Sequence, residues 1–203
     1  MVFWIAPGTA LGSAAYVLGK AVLYLLPVAW LLFVERGWIA VSRPPRGSLV
    51  IGAVSGLAIG AVILLTYAVL SHRIDAAAMK DMLAKNRLDD PRLYWAMAAW
   101  LSIVNALLEE YAFRWFIAGQ CRRLMAIAPA LLLSALIFTA HHVIVIRAYL
   151  PWGITIMASA GVFAGGLIWS GLYLKYRSIW PGYVSHVIVD VAIFIVGWMI
   201  VVR

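Results

Sequence analysis

Long apolar runs separated by short polar gaps dominate this chain. The runs cover residues 14–34, 48–71, 93–124, 127–146, 152–173 and 179–201. Each is continuously apolar and at least as long as the ~20 residues a helix needs to cross a bilayer. Membrane β-strands would instead alternate apolar and polar residues in segments of about ten. The pattern therefore predicts an all-α polytopic transmembrane bundle of about six spans, forming one domain over residues 1–203, with the third run too long for the hydrocarbon alone.

The gaps carry their own signals. Residues 1–12 are apolar but broken by Pro7 and Gly8, which suits an interfacial segment. They lack the basic leader of a secretory signal peptide, so the first span is expected to stay as a helix. Residues 35–47 hold Arg36, Arg43 and Arg46, and Pro44-Pro45 excludes helix there. Residues 72–92 place Ile74, Ala77, Ala78, Met82 and Leu83 against Asp75, Lys80, Asp81 and Lys85, the two faces of a short helix lying on the membrane surface. Asp89-Asp90-Pro91 then reads as a cap and helix start. In the second run Gly52, Gly56 and Gly60 recur every fourth residue, a spacing that lets a neighbouring helix approach closely.

Composition agrees: of 203 residues 66% are hydrophobic and 12% charged, against roughly 45–50% apolar in soluble domains. The formal charge of +8 could mark a nucleic-acid binder. In so apolar a chain it instead places Lys and Arg against anionic lipid headgroups, and nucleic acid is not expected as a partner. Six spans with both termini outside put Arg36, Arg43, Arg46, Arg122, Arg123, Lys175 and Arg177 inside. The ten Trp and nine Tyr suit interfacial belts. Cys121 is the only cysteine. It can form no intrachain disulfide and reads as structural.

Against this background seven ionisable residues stand out inside apolar runs: Glu109, Glu110, Arg114, His141, His142, His186 and Asp190. A charge at mid-bilayer costs about 2.5–3.5 kcal/mol on insertion scales, so these groups are expected to face one another around a polar cavity. Glu110 and Arg114 are four apart and share a helix face, as do His186 and Asp190. Glu109 points about 100° away from Glu110. Adjacent His141 and His142 diverge likewise, so at most one aims into a given cavity and the other caps the helix end or meets solvent. Peptide hydrolysis would use a carboxylate and an imidazole to activate water, and further donors to hold the oxyanion. The same groups could ligate zinc, relay protons in a transporter, or line the pocket of a non-catalytic binding or immunity protein. A buried Glu-Arg pair can also simply pin helices.

The order E-E-x-x-x-R (Glu109, Glu110, Arg114), F-x-x-x-H (Phe138, His142) and H-x-x-x-[N/D] (His186, Asp190), each on its own apolar helix, resembles the CAAX-processing and bacteriocin-processing (CPBP, or Abi) family of intramembrane glutamate endopeptidases. The resemblance covers residues 93–195. It implies a conical polar cavity and no cofactor. It also implies water activation by Glu109 and His142, an oxyanion side lined by His186 and Asp190, and an electrostatic clamp of Glu110 with Arg114. The implied partner is a membrane-proximal protein or peptide substrate; the short, compact chain itself suggests a prokaryotic plasma membrane. This chain carries Asp190 where the prenyl-protein processors carry Asn. An ionised Asp would repel an oxyanion, so Asp190 must be protonated there or must instead orient His186.

Overall fold

The computed structural model describes residues 10–37, 42–147 and 150–202. The expected interfacial segment over residues 1–12 lies almost wholly outside them. Among the described residues the regular structure is entirely helical. It comprises α1 (Ala10–Ala29), α2 (Ser48–Leu70), α3 (Ala76–Lys85), α4 (Pro91–Trp100), α5 (Ala106–Glu109), α6 (Gly119–Leu124), α7 (Ile127–Arg147), α8 (Trp152–Tyr176) and α9 (Trp180–Val202). Five helices are long and apolar enough to cross a membrane: Val17–Val34, Ser48–Leu70, Ile127–Arg147, Trp152–Tyr176 and Trp180–Val202.

The expected third span is different. Residues 91–124 form a succession of helical segments in which π-helix at Leu101–Asn105 and Glu110–Ala118 alternates with α4, α5 and α6. Wide helical turns of this kind are rare and frequently found at functional sites, although a further one closes the first span at Trp30–Val34. In the 91–124 run the first ends four residues before Glu109 and the second begins at Glu110.

Local chemistry sets the helix ends. Asp90 accepts the backbone N–H of Arg92 at 2.8 Å, with Pro91 at the first helical position, as the Asp-Asp-Pro signal predicts. Arg177 closes α8 in the left-handed conformation (φ 53°), its N–H bonded to the carbonyl of Tyr173 at 2.7 Å. α3 occupies the middle of the expected surface helix and carries an exposed Lys85–Asp81 pair at 2.6 Å. The side chains of Ala78 and Met82 lie outside the described residues.

The chain divides into two compact units, with boundaries after residues 43, 109 and 179, the second of them between Glu109 and Glu110. One unit holds residues 44–109 and 180–203. Its centre is the seam between α2 and α9. A Cβ added at Gly52 would run into the carbonyl of Pro181, and one added at Gly56 would lie 2.8 Å from the carbonyl oxygen of Ser185. Ser55 Oγ donates to Ser185 Oγ at 3.1 Å across the seam. Tyr94 and Tyr183 tie the 91–109 run to α9, donating to the carbonyls of Phe194 (2.7 Å) and Ile103 (3.1 Å).

The other unit holds residues 1–43 and 110–179. Here α7 and α8 pack through Gly166, whose added Cβ would sit 3.3 Å from Ala135 and Phe138. Ser134 joins them to the 110–118 segment. Its Oγ donates to the carbonyl of Phe113 at 3.2 Å and lies 3.1 Å from Ser170 Oγ. Glu35, just after the first span, accepts hydrogen bonds from Gln120 and Arg123 of α6 and from Trp30. The Gln120 amide, and then the Arg123 guanidinium, hold its carboxyl below the usual carboxylate range.

Candidate active site

In the unit built on α2 and α9, Glu109 and His186 meet. Both side chains are buried, at 3% and 4% exposure, and His186 Nε2 lies 3.9 Å from Glu109 Oε2. Asp190, one turn after His186, places Oδ1 3.8 Å from the same nitrogen. Neither separation is a direct hydrogen bond. One imidazole nitrogen is thus flanked by two carboxyl groups, each at a distance that a single bridging water or substrate oxygen spans. The other Glu109 oxygen is engaged on its own helix: Asn105 Nδ2 donates to Glu109 Oε1 at 2.8 Å. The approach follows from the fold. Small residues of α2 let α9 come close, Tyr183 anchors α9 to the carbonyl of Ile103, and two turns of helix later the chain reaches Glu109.

In the second unit Glu110 and Arg114 are completely buried, Arg114 Nε lying 3.4 Å from Glu110 Oε1. The guanidinium sits in an aromatic cage, its central carbon 4.0 Å from the ring centre of Phe138, 5.2 Å from Trp169 and 5.9 Å from Phe113. A planar, delocalised cation tolerates burial against ring faces better than an ammonium would. Phe138 also holds His142, whose Nδ1 lies 3.0 Å from the Phe138 carbonyl and whose ring centre is 4.3 Å from that of Phe138. A carbonyl only accepts, so Nδ1 carries the hydrogen and Nε2 of the neutral ring carries the lone pair. That is the tautomer a proton acceptor needs. Phe138 therefore links two of the three motifs: its ring carries the Arg114 charge and its carbonyl sets the His142 tautomer.

His141 diverges from His142 as the helical spacing requires. It is half-buried, 5.9 Å from the Phe113 ring, and lines a cleft of about 410 Å³ with Lys20, Phe116 and Ile144. Cys121 is buried. Two residues of the arrangement escaped sequence reasoning. Asn105 was hidden in an apolar run, although its four-residue spacing to Glu109 was a usable signal. Trp169 belonged to the Trp and Tyr residues assigned to interfacial belts, yet it is 4% exposed and walls the Arg114 cage.

Five apolar helices of crossing length define an integral, multi-pass membrane protein, in which Glu109, Glu110 and Arg114 on the 91–124 run and His186 on α9 are buried. Residues 91–192, half of the chain, match the family described as type II CAAX prenyl endopeptidase, Rce1-like, and the chain belongs to that family. The matched region contains all three motifs and both turns of π-helix around the glutamates. No curated protein and no solved structure matches the chain.

Proposed function

We propose that this protein is an intramembrane endopeptidase in which Glu109 activates a water molecule for attack on a peptide carbonyl. Glu109 takes a proton from the water as its oxygen bonds to the carbonyl carbon. The tetrahedral oxyanion is held by donors on the His186 side. The proton then passes to the departing amine as the C–N bond breaks. The observation that carries this reading is the buried Glu109–His186 pair with the partly exposed Asp190 beside it, in a chain whose family is one of CAAX-type intramembrane proteases. Asp190, its Oδ1 3.8 Å from His186 Nε2, takes the orienting role, because an ionised carboxylate would repel an oxyanion. The family resemblance, rather than the geometry, gives His142 a share in water activation, and its lone pair on Nε2 suits that role. Glu110 and Arg114 stabilise the helix that carries both glutamates.

The substrate is a membrane-proximal protein or peptide cut near its C-terminus, and the membrane is a prokaryotic plasma membrane. No cofactor takes part. The test is product mapping. Purified protein is incubated in detergent with prenylated and unprenylated C-terminal peptides, and fragments are identified by mass spectrometry, with Glu109→Gln as the control. New termini produced by the wild type and absent from the variant are expected. A biological effect of the chain that survives in Glu109→Gln, with no fragment from either protein, would favour a binding or immunity role instead.

A further inference from the structure

We infer that Asn105 is the positioning residue of Glu109, holding one carboxylate oxygen so that the other is presented to the reacting water. The inference rests on the proposed role of Glu109 as the base. Its geometric ground is the division of labour between the two oxygens: Oε1 accepts from Asn105 Nδ2 at 2.8 Å, while Oε2 faces His186 Nε2 at 3.9 Å. A carboxylate tethered at one oxygen loses rotation about its terminal torsion, which is otherwise broad and two-fold. It cannot then swing the reactive oxygen away from the imidazole.

The carboxamide suits the proton cycle as well as the geometry. An ionised Glu109 is an acceptor only and requires the Asn105 NH₂. Once Oε2 has taken the proton from water, Oε1 remains an acceptor and keeps the Asn105 N–H, so the same tether holds in both charge states. One side chain thus satisfies both charge states without movement of the helix. An aliphatic residue satisfies neither. The bond lies within one helix, four residues apart, and the backbone beneath it is fixed: Tyr183 donates to the carbonyl of Ile103 in the π-helical segment that Asn105 ends.

The experiment compares wild type, Asn105→Leu, Asn105→Ala, Glu109→Gln and Glu109→Gln/Asn105→Leu in detergent, using a quenched fluorescent peptide with a prenylated C-terminal CAAX sequence. A lost hydrogen bond to a charged group predicts a fall in kcat of about 10- to 100-fold with KM unchanged in both Asn105 variants. The double variant should be no slower than Glu109→Gln alone, because Asn105 acts only through that carboxylate. An Asn105 variant with kcat within about twofold of wild type, or one that raises KM alone, overturns the proposal while leaving the Glu109 reading intact. Full activity of Glu109→Gln overturns the base assignment and with it this inference. A readout independent of turnover separates the two: the infrared carboxylate band that disappears in Glu109→Gln should be displaced in Asn105→Leu. An unmoved band in a folded variant overturns the contact itself.

Discussion

A single methyl group at Gly56 should disturb both the packing of α9 and the residue beside it. The Cβ of Gly56→Ala would lie 2.8 Å from the Ser185 carbonyl oxygen, 2.9 Å from Ser185 Cα and 3.0 Å from Ile188 Cβ. Non-bonded carbons rest at roughly 3.5–4.0 Å, and a gap of 0.5–1 Å forfeits a quarter to a half of each contact's attraction. Two of the three atoms are backbone, so no side chain can rotate away. α2 and α9 must part locally by about half an ångström, and overpacking of this order destabilises by about 1–3 kcal/mol. Ser185 adjoins His186, so the displacement reaches the imidazole, and misplacing a catalytic group by ~1 Å can cost 10²-fold in rate. Gly161→Ala is the matched control. Nothing lies within 4 Å of its added Cβ, and exchanging Gly for Ala within a helix gains about 0.8–1.0 kcal/mol. Thermal unfolding in detergent should rank Gly161→Ala at or above wild type and Gly56→Ala several degrees below, with peptide cleavage falling only in Gly56→Ala. Equal stability of the two variants would refute the close α2–α9 seam.

Three further outcomes follow from the same geometry. Arg114→Met or Glu110→Gln alone strands its buried partner and should cost about 3–5 kcal/mol, whereas the Glu110→Gln/Arg114→Met double variant should recover most of it; thermal unfolding of the three measures this. Glu35 has a depressed folded pKa, so its contribution is present above the unfolded carboxylate value and is lost as pH falls through the folded one. Hydrogen exchange in Gly119–Leu124 should therefore accelerate on acidification below about pH 4 in the wild type, and this acid step should be absent from Glu35→Gln. Cleavage of the reporter peptide should persist after dialysis against a strong zinc chelator; loss that zinc restores would contradict a metal-free mechanism.

The helices were legible because apolar runs of bilayer length have few alternatives. The α2 seam was legible because only small residues permit so close an approach. Asp90-Pro91 announced its helix start for the same kind of reason, a side-chain acceptor followed by a residue without an N–H. The 91–124 run was harder. Its hydrophobicity predicts one long span, but π-helical turns depend on packing that periodicity does not encode. Spacing correctly paired Glu110 with Arg114 and His186 with Asp190, yet it could not reveal that Trp169 walls the Arg114 cage, because aromatic residues serve interfaces and interiors equally well. Asn105 was overlooked for a similar reason: one polar residue among apolar neighbours acquires meaning only when its partner's orientation is known.

The most direct measurement is the turnover number of Glu109→Gln on the prenylated reporter peptide, in liposomes, beside its unfolding temperature. A general base contributes about 10²–10⁴-fold, so kcat should fall by that factor while the unfolding temperature stays near that of the wild type. A folded Glu109→Gln that cleaves at the wild-type rate would contradict water activation by this carboxylate.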